Sequence, residues 1–410
     1  MKKKLLVIGF VWPEPKSSAA GSRMLQLITQ FQYQGYEVTF CSAAKTSDNT
    51  FDLNSINVTT KSIVLNDSSF DAFVQELRPD VVLFDRFMSE EQYGWRVAEQ
   101  CPNTLRVLDT EDFHGLRKAR EEALKQNEEV TLMHLQNAIT KREIASIYRC
   151  DLSIMISQAE IDILTNQFKI DKSLLYYLPF LLEPISEDHI QELPTFEARQ
   201  HFITIGNFLH APNYDAILYL RQSIWPLIKK QLPKAELHIY GAYESQKVLQ
   251  LNNKKEGFLI KGFAEDVNIV MQNAKVCFAS LRFGAGLKGK LVDAMQNGTP
   301  CVMTSIASEG MFGEFEENGF IEDNPEDFAK KAILLYNNSD IWKHKQQAGF
   351  EVLNQRFNRL DFEEAFLTHI KSLRINLDQH RQYNFIGLLL MHQTMQSTKY
   401  MSKWIEAKNS

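Results

Sequence analysis

The chain has 410 residues, of which 44% are hydrophobic and 23% are charged. This length and composition predict two or three globular domains and exclude a disordered tail protein, a coiled coil and a collagen-like repeat. With 45 basic against 51 acidic residues, the chain lacks the basic surface of a general nucleic-acid-binding protein, so we expect no nucleic-acid partner. Five scattered cysteines without a CxxC pair favour a reducing compartment and no structural zinc.

The amino-terminal apolar run at residues 5–10 predicts a buried strand rather than a signal peptide, because no small-residue cleavage site follows it. The longest late apolar run, at residues 385–391, is far shorter than the ~20 residues that a membrane span needs. We therefore expect a cytoplasmic protein, with peripheral contact at the inner face of a membrane left open.

In chain order, the first half alternates short apolar runs with longer helical windows. Strands are predicted at residues 5–10, 37–42, 62–65, 81–85, 104–108 and 152–157. Helices are predicted at residues 22–34, 68–77 and 90–99, and a single long helix at 117–148, with Glu143 and Arg149 near its end on the solvated face. The strand runs are continuously apolar, which is typical of a parallel sheet covered by helices on both faces.

Residues 176–184 are predicted to be extended, because each proline disfavours the α region for the residue before it. The acidic residues 186–197 are predicted to form a linker. Further strands are expected at residues 201–206, 236–240, 258–261, 275–279 and 300–304, and residues 366–410 are predicted to be helical and to start no third sheet. The sequence thus predicts an α/β fold with two doubly wound domains, residues 1–183 and 184–365, and a helical extension, residues 366–410.

A glycine-rich loop between a predicted strand and a predicted helix carries the strongest chemical signal. It combines three glycines with three cations: Gly284, Gly286, Gly289, Arg282, Lys288 and Lys290. Because glycines let the backbone approach a ligand and a helix start favours an anion, the loop predicts a phosphate or pyrophosphate site. Asp293, one helical turn past Lys290, is expected to accept hydrogen bonds from ribose hydroxyls. The alternatives are a tight turn with solvated lysines and a simple intrahelical pair of Lys290 with Asp293.

Two segments of the first domain follow predicted strands. Gly21, among small residues at the start of the first helix, fits close approach to a phosphate or sugar, and a plain loop fits equally well. Arg23 fits either an acceptor contact or a pairing with a nearby acid. His114 follows the strand predicted at 104–108 and is a candidate functional residue. The alternative is that this segment only starts the next helix, with Asp112 or Thr110 as its N-cap.

The glycine-rich loop resembles that of the retaining glycosyltransferases with the GT-B fold, in particular family 4. In that family the loop is followed by a lysine, two apolar residues, an acid and Ala-Met, and then by Gly-x-Pro and a strand. The same order occurs here in Lys290-Leu-Val-Asp293-Ala-Met and Gly298-Thr-Pro300. Weaker similarities follow the family order along most of the chain, at Gly206-Asn207-Phe208, Lys261-Gly262-Phe263 and Ala307-Ser308-Glu309-Gly310.

This resemblance implies two Rossmann-like domains that face a cleft, the first on the acceptor side and the second binding a nucleotide sugar. It also implies that the carboxyl-terminal helices cross back onto the first domain. The implied donor contacts are Gly21, Gly206, Asn207, Gly262, Gly286, Leu287, Lys288, Lys290, Asp293 and Glu309. The implied catalytic residues are Lys290 and Arg282, which would stabilise the departing diphosphate, and His114 as the active-site histidine.

The chain departs from the family at three positions. Ala285 stands where the first of two acids is expected, Asp293 stands where the second is usually glutamate, and Asn207 stands near an expected arginine. These departures bear on the donor sugar more than on the reaction class. Asp109 and Glu111 are faintly similar to the metal-binding acid pair of other transferases. GT-B enzymes do not need such a pair, so we expect no metal and no cofactor besides the nucleotide-sugar co-substrate.

The implied activity is metal-independent transfer of a sugar, with retention, from a nucleotide-diphospho-sugar donor to an acceptor hydroxyl. The acceptor stays open between a glycan, a lipid-linked sugar and a protein. Two other functions fit the residues: a nucleotide-sugar epimerase of the same fold, and a non-catalytic module that binds a partner transferase, which Ala285 favours. The tail at residues 382–404 fits helices that cross back onto the first domain, or an interfacial helix with Lys, Tyr and Trp at a membrane surface.

Overall fold

The computed structural model describes residues 3–409, apart from the side chains of residues 393–395. The first sheet consists of β1 Lys3–Gly9, β2 Tyr36–Ser42, β3 Thr59–Ser62, β4 Val81–Asp85, β5 Leu105–Asp109, β6 Leu152–Met155 and β7 Leu175–Tyr177. All seven strands are parallel, in the order β3-β2-β1-β4-β5-β6-β7. The chain therefore winds outward from β1 in both directions, as in a doubly wound domain.

The helices of the first domain are α1 Ala19–Tyr33, α2 Ser69–Leu77, α3 Arg86–Gln100, α4 His114–Gln126, α5 Leu132–Leu135, α6 Ala138–Arg149 and α7 Gln158–Asn166. Alternate residues of β1 belong to two separate hydrophobic cores, Leu5 and Val7 to one and Leu6 and Ile8 to the other. Because both faces of the sheet are buried at its centre, β1 and β4 are mostly apolar and were predictable, whereas the edge strand β3 is polar and largely exposed.

The second sheet consists of β8 Phe202–Ile205, β9 Leu237–Tyr240, β10 Phe258–Gly262, β11 Val276–Ala279, β12 Cys301–Met303 and β13 Gly319–Ile321. These strands are also parallel, in the order β10-β9-β8-β11-β12-β13. The remaining helices are α8 Glu187–Glu192, α9 Ala211–Tyr219, α10 Trp225–Gln231, α11 Gln246–Leu249, α12 Val267–Asn273, α13 Gly289–Gln296, α14 Ser305–Ser308, α15 Pro325–Asn337, α16 Ser339–Arg356, α17 Leu360–Ile375, α18 Leu377–Tyr383 and α19 Phe385–Asn409. The predicted α/β architecture of two doubly wound domains is confirmed.

The long helix predicted at residues 117–148 is wrong, because this segment folds into the three helices α4, α5 and α6. Helix α4 ends where Asn127 adopts the left-handed conformation, with φ 56°. The chain then turns back, and α6 packs against α4. The prediction that Glu143 and Arg149 lie on a solvated face is also wrong, since they are 1% and 6% exposed. Helix packing buries both side chains, and Arg149 Nε donates to the carboxylate of Glu90 at 2.9 Å.

Three shorter elements differ from the predictions. The third strand is β3, at residues 59–62 instead of 62–65. The linker predicted at residues 186–197 contains helix α8, because the side chain of Ser186 caps its first turn by accepting from the amide of His189. Strand β13 is missing from the predictions, because a run of three residues is too short to show a period.

The chain crosses between the two domains twice at one place. The amide of Leu182 donates to the carbonyl of Phe357 at 2.7 Å, and the carbonyl of Leu182 accepts from the amide of Arg359 at 2.9 Å. After this crossing, α17 buries Phe366 and Ile370 in a core of the first domain, and α19 packs on α3 and α6. The predicted return of these helices is confirmed, whereas the boundaries at 183/184 and 365/366 stay predictions. Within residues 3–409, no helix is long and apolar enough to cross a membrane.

Candidate active site

The carboxyl ends of the two sheets meet where the glycine-rich loop leaves β11. The amide of Gly286 in this loop donates to Glu160 of α7 at 2.6 Å. The carbonyl of Gly284 accepts from Arg120 of α4 at 2.8 Å. The same guanidinium holds the predicted donor residue Glu309, with N–O distances of 2.6 and 2.9 Å. The loop that was predicted to bind a donor therefore also forms the contact between the domains.

The glycines of this loop permit a close approach between the two domains. A Cβ atom on Gly286, which has φ +65°, would lie 2.8 Å from Cβ of Asp112. A Cβ atom on Gly289 would lie 2.5 Å from Cβ of Ala19. Because Ala19 and Gly289 are the first residues of α1 and α13, the positive ends of two helix dipoles meet across the cleft. Such a place favours an anion.

The two lysines of the loop point to different partners. Lys288 is buried, and its Nζ donates to the carbonyl of Ala285 in its own loop at 3.0 Å. Lys290 donates to the side-chain oxygen of Asn213 at 3.1 Å. Burial lowers the pKa of each lysine to about 8. Burial also raises the pKa of Asp293 to about 7, against the opposing positive charge of Lys290.

Arg282 does not share the contacts of these two lysines. Its Nε donates to the carboxylate of Asp215 at 2.9 Å, and its guanidinium lies 5.1 Å from the ring centre of Tyr219. The side chain is 37% exposed. A role at the diphosphate would require Arg282 to leave Asp215.

The predicted contacts at the start of the second domain converge on Asn213. Its Nδ2 donates to the carbonyl of Asn207 at 3.0 Å, while its Oδ1 accepts from Lys290. A Cβ atom on Gly206 would lie 2.7 Å from the side chain of Asn213. Gly262, with φ +76°, ends β10, and its carbonyl accepts from Gly241 at 2.8 Å. The side chain of Leu287 is buried in a core of the second domain, which leaves its backbone for a ligand.

His114, at the first residue of α4, is enclosed by acidic groups of the first domain. Its Nδ1 lies 3.0 Å from Asp112 Oδ1 and 3.5 Å from Glu143 Oε1. Against the effect of burial, Asp112 and then Glu143 raise the pKa of His114 to about 10. The residue that caps this helix is Phe113, so the alternative in which Asp112 or Thr110 is the cap is wrong.

His210 is a cleft residue that sequence reasoning missed. It lies in the loop after β8, where part of the residue is exposed to solvent and its ring is partly enclosed by neighbouring side chains of the cleft. Its pKa is lowered to about 4, first by enclosure and then by the charge of Arg117 from the first domain, with further contributions from Lys290 and Lys288. The only signal in the sequence was its position just beyond a strand end, where ligands of such sheets bind.

The two cleft histidines are expected to titrate far apart. We expect His114 to stay protonated until about pH 10 and His210 to stay neutral above about pH 4. Since the pKa of His114 lies above the 6.5 of a free histidine, its pairing stabilises the native state fully below pH ~6.5, and this contribution is lost as the pH rises through about 10. Side-chain ¹⁵N NMR, assigned with His114→Gln and His210→Gln, measures both values. Titration of His114 near pH 6.5 would contradict the pairing.

The two remaining predicted residues of the first domain have internal partners. The amide of Gly21 donates to Ser18 at 3.1 Å, and a Cβ atom on Gly21 would lie 2.4 Å from the backbone of Glu14, so this glycine permits local packing. Arg23 is buried with its Nε 3.3 Å from Asp109 Oδ1, which bears out its pairing with a nearby acid. Within residues 3–409, no group of three or more His, Cys, Asp or Glu side chains is arranged to hold a metal ion.

Residues 199–338 match the family model described as Glycosyl transferases group 1. No curated protein matches this chain in sequence. Among solved structures, Anabaena HepE in complex with UDP and glucose is 13% identical, with a TM-score of 0.69 over 91% of this chain and 100% of that chain. Sucrose-phosphate synthase from Thermosynechococcus elongatus is 15% identical, with a TM-score of 0.67 over 91% and 99%. A mutant of S. aureus TarM in complex with fondaparinux, alpha-GlcNAc-glycerol and UDP is 16% identical, with a TM-score of 0.56 over 73% of this chain and 58% of that chain. The fold is that of the GT-B glycosyltransferases.

Proposed function

We propose that this chain, which carries a Glycosyl transferases group 1 domain on a GT-B fold, transfers a sugar from a nucleotide-diphospho-sugar to an acceptor hydroxyl. The observation that carries the proposal is the arrangement at the start of α13, opposite the start of α1. Lys290 and Asp293 lie on α13, and Asn213 of α9 accepts a hydrogen bond from Lys290. No hydrogen bond among residues 3–409 uses the amides of residues 287–290, so these donors are available to a diphosphate. Two helix dipoles, free amides and a lysine together suit an anionic leaving group.

The reaction that these groups support is transfer with retention. The bond from the anomeric carbon to the diphosphate breaks, and Lys290 and the amides stabilise the charge that builds up on the diphosphate. The acceptor oxygen attacks from the same face, and its proton passes to a diphosphate oxygen. The protonated His114 donates a hydrogen bond to a sugar hydroxyl. Because cations of the protein neutralise the leaving group, we propose no metal, and we give Arg282 a lesser part than Lys290.

The donor is proposed to be a UDP-hexose. Anabaena HepE has been solved in complex with UDP-glucose, and the mutant of S. aureus TarM in complex with UDP. In this chain the nucleoside would extend from the diphosphate towards Asp293, whose carboxylate would accept hydrogen bonds from the ribose hydroxyls. The acceptor stays open between a glycan, a lipid-linked sugar and a protein.

Thermal melting with UDP, GDP, ADP and their hexose conjugates tests the donor. A ligand at 100 times its Kd adds about 2.7 kcal/mol to the free energy of unfolding, which is a measurable shift in Tm. We expect UDP and a UDP-hexose to shift the Tm of the wild type, and Asp293→Ala to lose most of that shift. No shift with any nucleotide would favour the partner-binding module, and donor consumption without an acceptor, forming a second nucleotide sugar, would favour an epimerase.

We also propose peripheral membrane contact through the exposed face of α19. Lys408 lies 5.3 Å from the ring centre of Trp404. The large exposed apolar side chains described on α19 are Phe385, Ile386, Leu388, Leu389, Tyr400, Met401 and Trp404. Aromatic side chains beside lysines suit the headgroup region of an anionic bilayer. Cosedimentation with vesicles of phosphatidylglycerol is expected for the wild type and reduced for Trp404→Ser. Equal sedimentation of both proteins would contradict this contact.

A further inference from the structure

One buried carboxylate, on Glu160 of α7, lies between the two domains. The side chain is 0% exposed. Its Oε1 accepts from the amide of Gly286 at 2.6 Å and from the amide of Phe113 at 3.0 Å. Its Oε2 has no hydrogen-bond partner among the described residues. One oxygen of this buried carboxylate thus accepts two hydrogen bonds and the other accepts none. The arrangement calls for an explanation, because burial of a charged group is costly unless the group is paired or hydrogen-bonded.

The two amides belong to the two functional segments of the cleft. Phe113 directly precedes His114, and Gly286 lies in the middle of the glycine-rich loop. A single oxygen thus connects the start of the helix that bears His114 to the loop that bears Lys290. Hydrogen bonds to an ionised acceptor are short and strong. Burial and the charge of Asp112 raise the pKa of Glu160 to about 7, while the two amides oppose that rise.

The other bond between these segments lies further from His114. Arg120 also joins the first domain to the loop, through Gly284 and Glu309, but it stands six residues along α4 from His114, and its partner Glu309 is 26% exposed. Arg120 can hold the domains together without fixing the distance from His114 to the loop. Glu160 holds this distance more tightly, because both of its hydrogen bonds end on backbone amides, one in each of the two segments.

We propose that Glu160 is a positioning residue that fixes the distance between His114 and the glycine-rich loop in the closed cleft. This inference rests on the proposed function for its catalytic consequence, whereas the connection itself is a property of the fold. Small errors in the placement of reacting groups cost large factors in rate. Loss of Glu160 therefore lowers kcat and leaves nucleotide affinity nearly unchanged, because none of the described hydrogen bonds of Lys290 or Asp293 involves Glu160.

The test uses four variants of the full chain. Glu160→Ala removes both bonds and Glu160→Asp is too short to reach both amides, whereas Glu160→Gln keeps an oxygen of the same reach. The matched control is Asp162→Ala, an exposed acid on the same helix whose carboxylate, among the described residues, accepts only from Gln158. The measurements are hydrogen–deuterium exchange of residues 111–115 and 284–286, which contain the two amides that Glu160 accepts from, the Kd of UDP, and the rate of UDP release from UDP-glucose in water.

We expect both segments to exchange at least tenfold faster in Glu160→Ala and Glu160→Asp, and at the wild-type rate in Asp162→Ala. UDP release is expected to fall 10- to 100-fold with the Kd of UDP changed less than threefold, and Glu160→Gln is expected to restore most of it. Unchanged exchange in Glu160→Ala and Glu160→Asp would overturn the proposal, as would UDP binding tightened more than threefold, which would mean that Glu160 competes with phosphate for Gly286. If the wild type neither binds UDP nor releases it while exchange responds as expected, the UDP-hexose donor fails and the connection through Glu160 stands.

Discussion

Replacement of Lys290 by alanine is expected to lower the turnover number at least 100-fold. Removal of one preorganised group that stabilises a developing negative charge costs about 10²- to 10³-fold in kcat, and Lys290 lies in the first turn of α13. Its Nζ is held by Asn213 at 3.1 Å, so its position is set before the donor binds. With its pKa lowered to about 8 by burial, most of the protein still carries this charge at pH 7.

Steady-state kinetics with the donor identified by melting measures this effect, and a second lysine variant controls for the loss of charge. Lys330→Ala removes an exposed lysine of the same domain, whose one ion pair among the described residues is with Asp327 on its own helix. This variant is expected to leave kcat unchanged. A nearly normal kcat in Lys290→Ala would remove Lys290 from the catalytic machinery. Loss of donor affinity with kcat retained would give it a binding role instead of one in the transition state.

The residues that the sequence predicted well lie close together in the chain. Lys290 and Asp293 share one turn of α13, and the central strands β1 and β4 are apolar runs, so local pattern was enough to place both, whereas the polar edge strand β3 was misplaced. Glu160 and Gly286 are 126 residues apart, and Arg120 and Glu309 are 189 residues apart. Their pairing follows from how two sheets face each other, and no local pattern encodes that.

The glycines show that one sequence motif can have two physical reasons. Their spacing predicted close approach to a phosphate, whereas the structure shows that Gly286 and Gly289 approach Asp112 and Ala19 of the first domain. Both demands need a position without Cβ, so sequence alone cannot separate them. The buried pair of Glu90 and Arg149 was missed for the opposite reason, since charged residues in a helical window are usually on the surface.

Phe366→Ala is expected to reduce the free energy of unfolding by about 3–5 kcal/mol, the usual cost of removing a buried phenylalanine. Phe366 is 0% exposed, and its ring centre lies 5.7 Å from that of Phe31 and 5.4 Å from that of Tyr176. It therefore anchors α17, a helix from after the second domain, in the core of the first. Urea unfolding measures the loss.

The matched control is Phe385→Ala, which removes the same side chain from α19 at a position that is 71% exposed. Surface substitutions of this kind usually change stability by less than about 0.5 kcal/mol, so the two variants should differ by several kcal/mol. Equal stability of the two variants would mean that α17 does not depend on this core for its place. Because α17 starts next to the crossing at Leu182 and Arg359, loosening it should also free the two domains from each other, and Phe366→Ala should lower kcat although it lies far from Lys290.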